Sequence, residues 1–322
     1  MAAVYPNADP TFDGMTPNPA AGYSGVFIPT IWAGKLIEKF YDSTVLAAIA
    51  STDYEGLITS KGDKVVIRTK PTITINAYET DQALSVERPT SNIVELLIDK
   101  GFYFNTILDD VMEVQADLDM LSMWSDDASE QMKIKIDTEC LAAIPAGISA
   151  ENRGATAGRL SGNINLGVTT SPLTVVARAP GAGEVEIIDV ITRLGQTLDE
   201  QNIPETGRWL VIPAWIAALI KRSELRDASL VGDTVSMLRN GRLGMVDRFT
   251  LYMSNLLPNP GVSTESYIYA GHSHGFTFAS QLTKVETLRG ESSFGTYLRG
   301  LQVYGRKVTD GTALAAAVVE AP

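Results

Sequence analysis

Apolar and polar side chains alternate with period two through "KGDKVVIRTKPTITINAYE", residues 61–79. Val65, Ile67, Ile73, Ile75 and Ala77 take the odd positions, and Lys64, Arg68, Lys70, Thr72, Thr74 and Asn76 the even ones. Side chains on a strand point alternately to its two faces, so this spacing predicts a half-buried strand. A second run follows the polar stretch 79–92, with Val94, Leu96, Ile98, Phe102 and Phe104 on one face. Together they predict a long β-ribbon from about Tyr54 to Asn105. A two-stranded ribbon has no core of its own and is marginal alone in water. Its apolar face is therefore expected to lie on a neighbour, and its Lys/Arg face to meet acid or solvent.

Helical spacing appears on both sides of the ribbon. In "IPTIWAGKLIEKFYDSTVLAAIAS", Trp32, Leu36 and Phe40 fall at i, i+4 and i+8. In residues 117–144, Leu118, Leu121, Ala128, Met132 and Ile136 keep the same period, with no Pro or Gly before Pro145. At a rise of about 1.5 Å per residue, that predicts a rigid helix roughly 40 Å long. Its acidic start suits the helix dipole. Residues 145–183 hold seven glycines and seven alanines and predict loops with at most short strands. Ile187, Ile191, Leu194 and Leu198 then form a helical stripe. "GRWLVI" reads as a short apolar strand. Pro213 opens a further helix, where its missing N–H costs least. From 239 to 319 short strands alternate with Gly-rich turns. The order is not a βαβα alternation, so the fold class expected is α+β rather than a doubly wound sheet.

Composition narrows the function classes. The 322 residues are 45% hydrophobic and 20% charged, which predicts a globular, well-cored protein. The net charge of −12 argues against a free-standing nucleic-acid binder, which usually carries a basic face. One cysteine, Cys140, allows no intrachain disulfide and fits a reducing compartment. No apolar run approaches the roughly 18 residues of a membrane span. The start lacks the basic and apolar regions of a signal peptide, so a soluble, cytosolically made protein is expected. Residues 1–29 hold five prolines, three glycines and two charges. Too little apolar surface is present there to fold alone, and the segment reads as an extended arm.

Catalytic chemistry is not evident. The two histidines, His272 and His274, sit in "GHSHG" without Cys, Asp or Glu nearby, so a hydrogen-bonded turn is favoured over a metal site. The acidic run from Asp117 has Leu121, Ser122 and Ala128 where a calcium loop needs an oxygen, a glycine and a glutamate. "RNGRLG" lacks both common phosphate-loop spacings, and no nucleophile elbow is present. No cofactor is expected. One charge feature remains. Residues 207–248 carry seven basic residues (Arg208, Lys221, Arg222, Arg226, Arg239, Arg242 and Arg248) against four acidic ones. They form either a solvated face or a contact with a sister subunit or packaged nucleic acid, for which Arg239, Arg242 and Arg248 are the candidates.

An extended arm, a coreless ribbon and a long helix all call for partners. If the partner is an identical chain, head-to-tail contacts close into rings or run on. Five stretches, taken in order, resemble a family: "IPTIWAGKLIEKFYDSTVLAAIAS", "LLIDKGFYFNTILDD", "WSDDASEQMKIKID", "LDEQNIPETGRWLVIPAWIAALI" and "NGRLGMVDRFTLYMSN". They resemble the tailed-bacteriophage major capsid proteins of the Hong Kong 97 type, over most of the chain from about residue 26.

The resemblance implies an N-terminal arm at 1–29, a helix at 30–51 leading to an extended loop at 52–106, and a peripheral domain at 107–183 and 266–322. That domain would hold a spine helix at 117–144, and 184–265 would form the axial domain. It implies pentamers and hexamers of identical subunits in an icosahedral virion shell around double-stranded DNA, assembled in the host cytoplasm. A separate scaffolding protein, a portal protein and a possible decoration protein would be its partners, with no membrane. The loop residues Val65, Ile67, Arg68, Lys70, Ile73 and Ile75 would make the intersubunit contact. Lys61, Lys64 and Lys70 lie in that loop, but no partner for a Lys–Asn cross-link matches by motif. A nanocompartment shell of the same fold is the alternative, and a metal enzyme using "GHSHG" the competitor from another class.

Overall fold

The computed structural model describes residues 41–322 apart from 43, 55–63, 72, 92, 112–118, 224–243, 262–263 and 291–293. The described residues belong to one compact unit, 41–322. The expected arm, the helical residues Trp32, Leu36 and Phe40, and Lys61, Arg226, Arg239 and Arg242 lie outside them.

Two sheets organise the unit. The larger has seven strands: β4 (Leu173–Val176), β5 (Glu184–Glu186), β6 (Arg208–Ile212), β7 (Met245–Val246), β8 (Phe249–Met253), β9 (Glu265–His272) and β12 (Leu314–Glu320). Their order is β5-β4-β12-β9-β6-β8-β7. The pairs β4–β12, β4–β5 and β6–β8 are parallel and the rest antiparallel. All five residues of β6 are buried. Its β-branched and aromatic residues therefore serve two cores, one on each face. Leu210 and Ile212 meet α3 (Ile187–Glu200) and α4 (Ala214–Arg222). The expected stripe Ile187, Ile191, Leu194 and Leu198 is wholly buried there. Trp209 and Val211 meet Cys140, Leu141 and Ile144 of α2 (Met120–Gly147) and Ile49 of α1 (Leu46–Ile49).

The long helix α2 runs 28 residues, about 42 Å at the usual rise. Asp119 caps it, accepting the Ser122 N–H at 3.2 Å. It runs through Pro145 into its last turn, a little beyond the expected end at 144. Only its C-terminal half is buried, at Ile136, Asp137, Cys140, Leu141 and Ile144. The earlier stripe residues Leu121, Ala128 and Met132 are half-buried.

The smaller sheet has the order β10-β11-β3, all antiparallel, from β3 (Lys100–Asp109), β10 (Phe276–Arg289) and β11 (Gly295–Val308). Where short strands were expected between 239 and 319, "GFTFAS" and "TKVETL" lie on one long strand, β10, whose pairing shifts between Ser280 and Leu282. The larger sheet crosses the expected domain boundaries. β9 and β12 sit at its centre beside β6, whereas 276–308 belongs with β3. Alternation specifies which face of a strand is apolar, but not which strand lies beside it, so the boundaries at 184 and 266 were not readable.

The ribbon is shorter than the alternation suggests. β1 (Lys64–Arg68) pairs β2 (Ile93–Leu97) over five residue pairs, from Lys64↔Leu97 to Arg68↔Ile93. Phe102 and Phe104 belong to β3 in the other sheet. Pro71 and Pro89 follow just beyond the end of the ladder, one on each arm. Proline has no N–H to donate, so the pairing stops short of both and Pro71 bends no paired strand.

Candidate assembly surfaces

The base of the ribbon is packed within its own chain. Ile67 is 8% exposed, Leu96 0% and Ala279 of β10 0%, and Tyr54, Val65, Val94 and Ile98 close around them. Gly305 of β11 makes this crossing possible, because a Cβ there would lie 2.3 Å from the Leu97 carbonyl oxygen. Val65 and Ile67 are thus spent on an intrachain core. The expectation that the whole odd face awaits a neighbour is corrected at these two positions. The covering strand lies more than 200 residues away in sequence, out of reach of any local pattern. On the outer face Lys64 meets Glu95 at 3.2 Å, the acid expected for the basic side. Arg68 is exposed.

The tip behaves differently. Every described residue from Lys70 to Ser91 is exposed. Ile73 is 62% exposed, Ile75 88%, Tyr78 71%, Leu84 76% and Val86 89%. The two arms are held together by side chains. The Ser91 hydroxyl donates to the Thr69 carbonyl at 2.7 Å, and the Thr74 N–H donates to the Glu87 carboxylate at 3.0 Å. At the turn, Glu79 and Gln82 bond each other. A cluster of large apolar side chains in water on a folded chain marks an interaction surface. Leu84 and Val86 fall within what reads in the sequence as a polar stretch. Two apolar residues among charges gave no periodic signal there.

One face of the smaller sheet is also apolar and exposed beyond the ribbon. Tyr103 pairs with Leu301, and Ile107 with Tyr297, which in turn faces Leu288. Tyr103 is 79% exposed, and Phe294, just before β11, is exposed as well. A charged row of Lys284, Glu286 and Arg299 crosses this face.

The long helix is fastened by two carboxyl side chains. Asp137, almost wholly buried, accepts the Val45 N–H at 2.8 Å and also the Leu46 N–H, tying α1 to α2. Burial pushes its carboxyl above the ordinary value, against those two donors. Glu139 accepts from the Tyr304 hydroxyl at 2.5 Å and from Arg306 at 2.8 Å, tying α2 to β11. Burial raises its carboxyl too, but the two donors outweigh this and hold it below the ordinary value. Burial pushes the Cys140 thiol up to about 12, so it stays protonated and inert.

The basic region resolves into an ion-pair cluster. Arg208, its side chain fully buried, meets Asp199 at 2.7 Å and donates to the Ile203 and Pro204 carbonyls. Arg248 meets Asp199 at 2.8 Å and Glu205 at 2.9 Å. Burial pushes the Asp199 carboxyl up, but Arg248 and Arg208 prevail and hold it low. Arg248, expected as an intersubunit or lumen charge, is thus engaged inside its own chain. Lys221 and Arg222 lie in the last turn of α4, favourably placed for its dipole.

His272 and His274 stack with ring centroids 5.2 Å apart, and the His272 Nδ1 accepts the His274 N–H at 3.3 Å. Burial, then the His274 and Arg208 charges, push His272 below its ordinary value despite a bond to the Thr206 backbone. The rings face each other instead of converging on a point. Among the described residues no three His, Cys, Asp or Glu side chains are grouped to hold a metal. No helix among them is long and apolar enough to cross a membrane.

One long helix joins two sheets, and an apolar finger extends from them. The chain belongs to the family described as phage capsid protein, whose pattern matches residues 101–317. It is a structural phage capsid protein, and its fold is that of the phage capsid structures of the Hong Kong 97 type, as the sequence resemblance implied. A structure from Mycobacterium phage Che8 is similar with a TM-score of 0.72 and 24% identity, over 90% of this chain and 96% of that one. The capsid of the Cyanophage P-SCSP1u gives 0.70 and 15%, over 96% and 99%. The capsid of a native GTA particle gives 0.65 and 13%, over 94% and 98%. A comparison with curated proteins returned no match.

Proposed function

We propose that the subunit closes into rings of five and six that form an icosahedral shell around double-stranded DNA, and that the ribbon tip is the arm by which each subunit lies on the next. The observation that carries this reading is the exposure of Ile73, Ile75, Tyr78, Leu84 and Val86 on a finger whose base is firmly packed. Arg68 and Lys70 flank that apolar patch and meet acidic groups on the neighbour. The axial unit is built around α3, β6 and α4, and the peripheral one around α2 and the smaller sheet. Shells assemble in the host cytoplasm with a separate scaffolding protein and a portal protein, and a decoration protein is a further partner. The DNA is held without sequence recognition, which suits a chain of net charge −12: a wall that gripped phosphates tightly would impede packaging.

Replacing residues 70–90 by a short Gly-Ser linker tests the arm while sparing β1 and β2. Size exclusion and negative-stain microscopy should find a folded subunit with near-normal thermal unfolding and no closed shells. Closed shells of ordinary size would overturn the reading, and so would a wholly unfolded chain, since the described residues of the tip are exposed and join no core cluster of their own subunit.

A further inference from the structure

The hairpin of β7 and β8 turns on two residues, Asp247 and Arg248, between the pairs Val246↔Phe249 and Met245↔Thr250. Both are left-handed, with φ of 45° and 66°. A two-residue hairpin of this hand ordinarily uses Asn-Gly or Asp-Gly, because residues with a Cβ resist it. Something must impose the conformation. Asp247 has a seat in Gly195, inside α3, where a Cβ would lie 2.6 Å from the Asp247 Oδ2. Glycine weakens a helix interior, and its presence here makes room for the turn. Arg248 is held by Nη2 to Asp199 at 2.8 Å and by Nη1 to Glu205 at 2.9 Å, with Nε 3.9 Å from Asp247. Asp199 is itself anchored on the buried Arg208 at 2.7 Å.

Two further observations bear on what the clamp is for. β7 is the last strand of the seven-stranded sheet, and Met245 is 66% exposed and Met253 49%. Met245 lies on that edge strand and Met253 at the end of β8 beside it; an exposed edge and exposed methionines are surfaces for pairing or packing. The cluster itself is net acidic, with Arg208 and Arg248 against Asp199, Glu205 and Asp247, so it does not draw phosphate. We infer that Arg248 is a positioning residue: clamped by Asp199 and Glu205, it holds the Asp247–Arg248 turn left-handed and so fixes the pose of the β7 edge, and shells close only when that edge is held. It neither meets a partner's charge nor touches DNA.

The test separates the turn from the charge. Three chains are compared: wild type, Arg248→Ala, and the double variant Asp247→Asn/Arg248→Gly, whose Asn-Gly turn takes this hand unaided. Closed shells are counted by gradient sedimentation and negative stain, and thermal unfolding is recorded on each chain. Arg248→Ala should lower the unfolding temperature and the shell yield several-fold. Asn-Gly should return both to near wild type although the guanidinium is gone. If the Asn-Gly chain unfolds like wild type but makes no shells, the charge itself makes the contact and the inference fails. It fails also if Arg248→Ala assembles as wild type, or if Asn-Gly rescues neither property.

Discussion

Ile67 and Ile75 stand on the same alternating face of one segment, yet the first is 8% exposed and the second 88%. The difference lies in what is underneath. Ile67 and its cross-strand neighbours rest on Ala279, in a crossing that Gly305 allows. Eight residues further along, no strand among the described residues lies below. The pattern specifies an apolar face, and burial depends on a surface supplied from elsewhere. At the base that surface is β10 and β11 of the same chain; for the tip we assign it to a neighbour. On that assignment, folding and assembly draw on adjacent parts of one segment.

Removing the tip, as described above, breaks this comparison most severely, because every intersubunit contact assigned to it goes at once. At the base, Leu96→Ala removes the side chain at the centre of the small cluster. A loss of about 2–5 kcal/mol is the usual range for such a cavity. Hydrogen exchange should quicken first at 64–68 and 93–97, and unchanged protection there would show that the cluster does not hold the ribbon down. At the tip, Ile75→Asp should leave subunit stability within about 0.5 kcal/mol, as exposed substitutions usually do. The shell yield should nevertheless fall several-fold. A stable subunit that assembles normally would remove Ile75 from the contact. Smallest of all, Lys64→Ala cuts an exposed cross-strand pair with Glu95, for an expected cost of about 0.2–1 kcal/mol that high salt should abolish. A larger or salt-insensitive loss, read by denaturant titration, would mean that the Lys64 stem packs on the base.

Much of the fold is legible in the sequence because its signals are local. The stripe of α3, the apolar run Trp209–Ile212 of β6 and the long helix 120–147 are written in neighbouring residues. What escaped depends on distance along the chain. Nothing near Val65 announces Ala279, and nothing near Arg248 announces that Asp199 and Glu205 engage it. The boundary between the sheets was hidden for the same reason, since β9 and β10 are almost continuous in sequence but belong to different sheets. Long helices bury only the part that something covers, and α2 is apolar-striped over more of its length than it buries.

The paired prolines beyond the ladder have one more consequence, for the time between synthesis and assembly. A finger of exposed isoleucine, tyrosine, leucine and valine at high concentration in a cell is an invitation to fibrils and tangled strands. Pro71 and Pro89 deny the finger two of the amides that a spreading strand would need, and Lys70 and Arg88 place a positive charge beside each. The finger is thereby kept from zipping onto the first strand it meets, so its apolar patch stays available for a surface of the right shape.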